Sequence, residues 1–312
     1  MKYLTGTDQN LDLRKVNESI EQAFADHGKG LVQMPPKVYI TLPQGDFRTM
    51  PAYLPSLEIA GVKIVNVHPH NPSRGLPTVM ALTVILDIAT GKPEAIINAT
   101  HLTDMRTGAA GAVAAKYLSP KKEITLGLIG TGRQALAQVA ATAEALTIRE
   151  IRIWSRNPVH AGTFCREMKK DFDCRSTTAE RACDSDVLVT TTPSTEPIVS
   201  DAWIHEGTHI NAIGADAPGK EELDPRILLR ASVFVDDPAQ AVHSGEINVP
   251  ITKGLFTEGS IAGTLGEVVL GKKGRKNQDE ITIFDSTGLA IQDLAIAKIA
   301  LQHGTAIVLP FP

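Results

Sequence analysis

The chain has 312 residues, of which 43% are hydrophobic and only 4% aromatic, so we expect an aliphatic core large enough for two domains. Its formal net charge of -4 gives no electrostatic reason to expect nucleic acid or an anionic membrane surface as a partner.

Targeting signals and cysteine pairs are also not expected. The N-terminus lacks the apolar core of a secretory signal, and no segment approaches the roughly 18 apolar residues of a membrane span. The sequence therefore predicts a cytoplasmic protein without membrane segments. The three cysteines, Cys165, Cys174 and Cys183, are too few and too evenly spread for a disulfide framework or a zinc site. We expect buried or idle thiols in a reducing compartment, and no metal.

The first third of the chain has the pattern of a substrate-binding domain. Helical spacing of apolar residues predicts an amphipathic helix over about residues 11–27. The strand-like segments KVYITL, MPAYL, GVKIVNVH and TVMALTVILD follow, divided by turns rich in Pro and Gly. Strands in succession without helices between them predict a mixed or antiparallel sheet. The Ala-rich segment from Thr103 to Tyr117 then predicts a long helix.

From EITLGLIG onward, strand and helix patterns alternate as far as EITIFD. This alternation predicts βαβ units and a parallel sheet with helices on both faces. The closing segment GLAIQDLAIAKIALQHG predicts an Ala-rich helix that packs back on the first domain.

A glycine-rich turn with the motif G-x-G-x-x-A joins the strand EITLGLIG to the next helix. Gly130 permits the tight turn, Gly132 lets the backbone approach a pyrophosphate, and Ala135 keeps the helix close to the strand. Such turns also occur without nucleotides, but here the strand before, the helix after and a second strand about 20 residues on are all present. The sequence thus predicts an α/β chain, with a Rossmann-type dinucleotide-binding domain at 116–292 and an α+β substrate domain from 1–115 and 293–312.

The end of the second strand of this domain bears on the choice of coenzyme. NAD sites usually place Asp or Glu there, whereas this chain has Ser155 and Arg156. Both side chains can bond to a 2′-phosphate, although an ordinary surface arginine is the alternative. Because the acidic residue is absent, we favour NADP over NAD.

Four charged residues are candidates for the chemistry. Lys63 interrupts an apolar strand, where it either faces solvent or is a desolvated lysine that polarises a carbonyl or imine. Arg48 and Arg106 can each pair with a substrate carboxylate, and Arg106 is favoured because it begins a helix of small residues. Asp216 lies in a Gly- and Pro-rich loop after a strand, and its spacing fits a turn former as well as a catalytic acid.

Long segments of the chain resemble the ornithine cyclodeaminase/mu-crystallin family, and within it the archaeal-type alanine dehydrogenases. They include QMPPKVYI, GVKIVNVHPHNP, MRTGAAGAVAAKYL, GTHINAIGADAPGKEELD and ITIFDSTGLAIQD, in the family's order and over essentially the whole chain. The resemblance implies a homodimer, in which the first domain supplies both substrate groups and dimer contacts.

The resemblance also implies roles for single residues. Lys63 would lie in the substrate pocket, and Arg106 would bind the substrate carboxylate. Lys37 would assist it, at a position where the family often has an arginine. Asp216 would be the acid/base or iminium-stabilising group. Arg48 stands where ornithine cyclodeaminases have a glutamate for the side-chain amine, which argues against cyclodeamination.

We therefore predict reversible oxidative deamination of L-alanine or a similar small L-amino acid. The alternatives are a reductase of the cyclic ketimines pyrroline-2-carboxylate and piperideine-2-carboxylate, an ornithine cyclodeaminase, and a crystallin-like protein that binds NADP and a small ligand without turnover. The residues expected to contact the cofactor are Thr107, Gly130, Thr131, Gly132, Arg133, Gln134, Ser155, Arg156, Thr191, Thr192, Ile213, Gly214, Ser286 and Thr287.

Overall fold

The computed structural model describes residues 1–5 and 11–311. The chain divides into two compact units. The first unit comprises Met1–Arg106 and Leu289–Pro312, and the second comprises Thr107–Gly288. Both divisions fall earlier than the predicted boundaries at 115/116 and 292/293. The first division lies inside a continuous helix, where the sequence pattern has no break.

The first unit starts with strand β1 (Lys2–Leu4) and helix α1 (Leu13–Gly28). Asp12 caps α1 by accepting a hydrogen bond from the backbone N–H of Arg14, and the apolar stripe of the helix is buried. The N-terminal helix expected from apolar spacing is thus confirmed. The following elements are β2 (Val38–Leu42), β3 (Gly45–Leu54), β4 (Ile59–Val67), β5 (Val79–Leu86), β6 (Pro93–Asn98) and α2 (Thr100–Leu118).

The second unit alternates strands and helices, as predicted. Its strands are β7 (Glu123–Ile129), β8 (Thr147–Trp154), β9 (Cys174–Ser176), β10 (Val187–Thr190), β11 (His209–Ala212), β12 (Ala231–Val235), β13 (Gly263–Thr264) and β14 (Ile281–Asp285). Its helices are α3 (Arg133–Ala143), α4 (Pro158–Met168), α5 (Ala179–Cys183), α6 (Pro225–Arg230), α7 (Pro238–Ser244), α8 (Asn248–Thr252) and α9 (Leu265–Val269). The chain ends with α10 (Ala290–His303) and β15 (Ala306–Val308), both in the first unit.

Within the described residues, the strands of the first unit form one seven-stranded sheet in the order β15-β1-β6-β5-β4-β3-β2. Strand β1 is parallel to β6 and the other neighbours are antiparallel, so the predicted mixed sheet is confirmed. Helix α10 packs on β3 and β4, and α1 packs on α10. One face of the sheet is therefore the core of this unit, and the closing helix returns to it as predicted.

The opposite face of this sheet is mainly apolar, and several of its side chains stay exposed in the described part of the chain. Val38, Thr49, Ile64 and Leu82 form one row across β2 to β5. Within this row Val38 is 53% exposed and Leu82 is 38% exposed. An extended apolar face of this kind is uncommon on a monomeric protein and is typical of an interaction surface.

The second unit is built on an eight-stranded parallel sheet over the described residues, in the order β13-β12-β14-β11-β10-β7-β8-β9. The chain runs outward from β7 through β8 to β9, and then returns to β10 on the other side of β7. Ligands bind at such a switch point, at the carboxyl ends of the strands. The predicted Rossmann-type architecture is confirmed.

The cysteines correct one expectation. Helix α4 packs on β9, and this contact brings the Cα atoms of Cys165 and Cys174 to 5.1 Å, where the two residues form a disulfide. The expectation of thiols is therefore wrong for this pair, because their proximity depends on a turn that cysteine spacing does not show. Cys183 is a buried thiol, and burial raises its pKa to about 12.

No helix in the described part of the chain is both long and apolar enough to cross a membrane.

Candidate active site and cofactor site

Lys63 is a buried lysine on the core face of β4. The alternation of the strand turns its side chain inward, where it is 1% exposed and donates from Nζ to Asp293 Oδ1 at 2.7 Å. Burial lowers the pKa of the Lys63 ammonium to about 7, the charge of Arg106 acts in the same direction, and Asp293 opposes both. Of the two interpretations open in the sequence, the structure shows the desolvated lysine, which can exchange a proton near neutral pH.

Arg106 shares the same carboxylate. Its Nε lies 2.9 Å from Asp293 Oδ1, and its Nη1 donates to Gln292 Oε1 at 2.8 Å. Both partners come from the first turn of α10, and all three side chains are buried. Two cations thus meet one anion, so the cluster has an excess positive charge that suits an incoming carboxylate.

Arg48 and Lys37 lie around the ring of Tyr39. The guanidinium of Arg48 is 5.0 Å from the ring centroid and the Nζ of Lys37 is 5.9 Å from it. Arg48 is buried and donates to Asp46 Oδ1 at 2.8 Å. The charge of Lys37 contributes to the lowered pKa of Lys63. Arg48 and Lys63 are both buried on the core face of the sheet.

Asp216 belongs to the second unit, in the loop after β11. Its carboxylate is 37% exposed and pairs with Lys220 Nζ at 2.5 Å. Lys220 belongs to the same Gly- and Pro-rich loop, GADAPGK over residues 214–220, so the loop supplies its own counterion. The catalytic role of Asp216 stays a prediction.

The glycine-rich turn has the geometry of a phosphate loop. Gly130 has φ +110°, and a Cβ there would lie 2.7 Å from Thr191 Oγ1, so this position requires glycine. Gly132 has φ −76° and ψ −177°, which any residue adopts, and a Cβ there would meet no atom within 4 Å. Helix α3 begins after it without a side-chain cap, which leaves backbone N–H groups for an anion. The open cradle above Gly132 fits a pyrophosphate.

The other predicted cofactor residues of this region lie around the same turn. Thr131 Oγ1 donates to Ser155 Oγ at 3.3 Å, which joins the phosphate loop to the end of β8. Arg156 is exposed beyond it, and Arg133 and Gln134 form the first turn of α3. Thr107 lies in α2, where its carbonyl accepts from Gln138 Nε2 at 2.9 Å.

Glu222 is a buried residue that sequence reasoning missed. Its Oε1 accepts from Thr192 N at 2.6 Å and its Oε2 accepts from Gly214 N at 2.9 Å. These two residues follow β10 and β11, so one carboxylate ties together two loops of the predicted cofactor set. Burial raises the pKa of the Glu222 carboxyl. Thr191 and Ile213 anchor the same loops through backbone bonds to the adjacent strands.

Glu222 is the first of four fully buried carboxylates along this edge, each of which accepts backbone N–H groups from a neighbouring loop. The set is Glu222, Glu246, Asp285 and Asp236. Asp236 accepts from Thr287 N and Gly288 N, each at 2.7 Å, while Ser286 N donates to the carbonyl of Ala212. The carboxylates therefore order the loops at the carboxyl ends of the strands.

These carboxylates make the stability of the second unit depend on pH. Burial and the charge of Glu222 raise the pKa of Glu246 well above its ordinary value of 4.5. The folded state then holds more protons than the unfolded state, and this contribution to stability is lost as pH rises through the folded pKa. Glu246→Gln keeps an acceptor for Leu223 N but cannot ionise. Between about pH 5 and about pH 8, we expect its unfolding free energy to fall less than that of the wild type.

Denaturation with urea at both pH values measures this difference. The exposed Glu258→Gln is the matched control and should follow the wild type. Equal pH dependence in Glu246→Gln and wild type would contradict the assignment.

Comparison with known proteins agrees with this geometry. The model of the ornithine cyclodeaminase/mu-crystallin family matches residues 1–303. Alanine dehydrogenase from Archaeoglobus fulgidus is 47% identical over 297 residues, which cover 94% of this chain and 91% of that protein. The solved structure of an archaeal alanine dehydrogenase dimer with bound NAD is 45% identical, with a TM-score of 0.94 and 99% of each chain covered.

A second solved structure is the Thermococcus litoralis Delta(1)-pyrroline-2-carboxylate reductase in complex with NADH and L-proline. It is 37% identical, with a TM-score of 0.95, and covers 99% of this chain and 100% of that chain. These relatives are dehydrogenases and reductases with nicotinamide coenzymes, so the predicted class of enzyme and class of cofactor are confirmed. The chain belongs to the ornithine cyclodeaminase/mu-crystallin family.

Proposed function

We propose that this protein is an alanine dehydrogenase, which interconverts L-alanine with pyruvate and ammonia. The observation that carries the proposal is the buried cluster of Lys63, Arg106 and Asp293 in the first unit. Its excess positive charge suits one small carboxylate, and its lysine titrates near neutral pH. The relative from Archaeoglobus fulgidus, 47% identical, supports alanine as the amino acid.

Arg106 and Lys37 bind the substrate carboxylate. A guanidinium offers two parallel N–H donors to a carboxylate, and burial strengthens both bonds. The Nη1 of Arg106 is held by Gln292, so the fork is already oriented before substrate arrives. Binding therefore places the C2 carbon of a 2-oxo acid at a fixed distance from the guanidinium.

Lys63 supplies the proton transfers at that carbon. Ammonia adds to the C2 carbonyl of pyruvate, and the carbinolamine must lose water to become an imine. An ammonium with a pKa of about 7 gives a proton to the departing oxygen and regains it in the reverse direction. Asp216 exchanges the second proton. The balanced reaction consumes pyruvate, ammonium, reduced coenzyme and a proton, and it yields alanine, oxidised coenzyme and water.

The second unit holds the coenzyme. Gly130, Gly132 and the N-terminus of α3 would hold its pyrophosphate, and Ser155 and Arg156 would bind its adenosine ribose. The loops tied by Glu222 would complete the site. The coenzyme, when bound, supplies or accepts the hydride at the substrate α-carbon.

NADP is proposed as the preferred coenzyme. Ser155 and Arg156 stand where an acidic residue would repel a 2′-phosphate, and Arg156 is exposed and therefore accessible. The two solved relatives hold NAD and NADH, so parallel kinetics with both coenzymes decide the point. A higher kcat/KM for NADPH than for NADH supports the preference, and the reverse order overturns it.

The proposed activity is tested by the oxidation of reduced coenzyme in the presence of pyruvate, with and without ammonium. We expect oxidation only when both are present, and L-alanine as the product by NMR. The absence of turnover with pyruvate and ammonium under conditions where the coenzyme binds would overturn the assignment.

A second candidate is a reductase of pyrroline-2-carboxylate or piperideine-2-carboxylate. The same cationic cluster binds the carboxylate of a cyclic imine, and a pyrroline-2-carboxylate reductase is among the structural relatives. Turnover of the cyclic imine without ammonium, together with no turnover of pyruvate, would establish this activity. Ornithine cyclodeaminase is not favoured, because Arg48 and its partner Asp46 leave no unpaired carboxylate at that position for a second amine.

A homodimer through the open face of the first unit's sheet is the proposed assembly. Ile64 and Leu82 belong to an exposed, mainly apolar row that a second subunit would bury. The solved archaeal alanine dehydrogenase is a dimer, which supports this assembly. We expect light scattering to give twice the 33.4 kDa chain mass. Leu82→Asp should shift the protein toward the monomer, because it buries a charge in the interface.

Leu229→Asp is the matched control for this variant. Leu229 is 66% exposed on α6 of the second unit, and its replacement should leave the mass unchanged. Dimers in both variants would exclude the open sheet face as the interface.

A further inference from the structure

We propose that Asp293 is a positioning residue of the substrate site, which holds Lys63 and Arg106 in place through one shared oxygen. Nothing in the sequence motifs assigns it this role. The inference deepens the proposed function and rests on it where turnover is the readout. The geometry alone carries the positioning: Oδ1 lies 2.7 Å from Lys63 Nζ and 2.9 Å from Arg106 Nε.

The two cations require such a partner. Lys63 and Arg106 are 1% and 7% exposed, so water screens their repulsion only weakly. A buried charge without a counterion is strongly unfavourable, and either side chain would turn away or lose its proton. A single carboxylate between them lowers the charge of the cluster and fixes the direction of both side chains.

Asp293 is itself rigidly placed. It lies in the first turn of α10, where the neighbouring Ile291 and Leu294 are completely buried. Gln292, the preceding residue, accepts from Leu289 N and from Arg106 Nη1 through the same Oε1. The start of one packed helix therefore presents two adjacent acceptors to the two substrate-site cations.

The charges around Lys63 come from several elements. Arg106 on α2 and Lys37 before β2 oppose its protonation, whereas Asp293 on α10 favours it. Arg48 on β3 is paired with Asp46 and adds no unpaired charge. Of these groups, Asp293 is the one that keeps the Lys63 ammonium available near neutral pH.

Asp293→Asn tests the proposal, because it keeps the shape of the side chain and removes its charge. We expect kcat/KM for the 2-oxo acid to fall at least about tenfold while the coenzyme Kd stays close to wild type. The melting temperature should also fall, because two buried cations lose their counterion. In the plot of rate against pH, the limb that reflects the titration of Lys63 should move to lower pH. The reason is that Asp293, which raises the pKa of Lys63, has lost its charge. Asp293→Glu keeps the charge, and its limb should lie closer to that of the wild type than the limb of Asp293→Asn does. Asp173→Asn, at an exposed site in the second unit, should behave as wild type.

A second readout does not depend on turnover. The NMR titration of 13C-labelled lysine, with the Lys63 signal assigned from Lys63→Arg, gives the pKa of Lys63 directly. We expect it near 7 in the wild type and lower in Asp293→Asn. An unchanged titration overturns the inference, whether or not pyruvate is a substrate. A lowered pKa in an enzyme that is inactive with pyruvate and ammonium keeps the inference and overturns only the proposed function.

Discussion

Lys63→Met is expected to lower kcat for reductive amination by at least about two orders of magnitude, which is the lower end of what a positioned acid–base group contributes. Methionine fills the space of the lysine stem and cannot exchange a proton. Asp293 keeps its ion pair with Arg106 in this variant, so no carboxylate is left buried alone. The loss should therefore appear in kcat, with the coenzyme Kd and the melting temperature preserved.

Steady-state kinetics and coenzyme titration of the same preparation measure this contrast. Lys92→Met, at an exposed lysine between β5 and β6, is the control for the loss of one positive charge and should retain wild-type kcat. A kcat of Lys63→Met within about threefold of wild type would remove Lys63 from the proton transfers.

Gly132→Val is expected to weaken coenzyme binding without weakening the fold. Its backbone angles suit any residue and the space beyond its Cα is open, so the protein alone gives no reason for glycine there. The reason is the pyrophosphate, whose close approach a valine side chain would block. We expect the coenzyme Kd to rise at least about tenfold, since the phosphate contacts contribute more than 1.4 kcal/mol.

Replacement of Gly130, the other glycine of this turn, is expected to affect the stability of the fold. Gly130→Ala should lower the melting temperature, because a Cβ at φ +110° is strained and approaches Thr191. The comparison by calorimetry and coenzyme titration thus separates a structural glycine from a cofactor glycine. Wild-type coenzyme affinity in Gly132→Val would show that the cradle does not hold a pyrophosphate.

The fold was predictable because its signals are local. Period-2 alternation in β3 and β4, the strand–helix repeat after Glu123 and the apolar stripe of α1 each lie within one element. The same alternation decides the side of the sheet that Lys63 faces. It does not reveal which face is the core, and so from the sequence alone a solvent-facing lysine was the more common interpretation of Lys63.

The partners of the site residues were not predictable, because they are contacts across the fold. Lys63 and Asp293 are 230 positions apart in the chain. The sequence offers one signal for Asp293, an acidic side chain close to the apolar run Leu294–Ala297 of α10, where burial is costly unless the charge is paired. Glu222 and Glu246 lie in loops and carry no such signal, and their carboxylates accept from backbone N–H groups that only the folded loops bring near.

The prediction for Cys165 and Cys174 was wrong for a similar reason, because their pairing is also a contact that the fold creates. Two cysteines nine positions apart were expected to be thiols, because their count and spacing match no disulfide framework. The turn between α4 and β9 decides the pairing, and such a turn is set by the packing of the helix on the sheet.

The most direct test of the account compares wild type with Arg106→Met in the amination assay, with and without ammonium. The account predicts that the wild type oxidises reduced coenzyme with pyruvate only when ammonium is present. It also predicts that the variant loses at least about tenfold in kcat/KM for pyruvate at unchanged coenzyme Kd, because the carboxylate loses its buried partner. Equal kcat/KM for pyruvate in the two proteins, or oxidation that does not need ammonium, would contradict it.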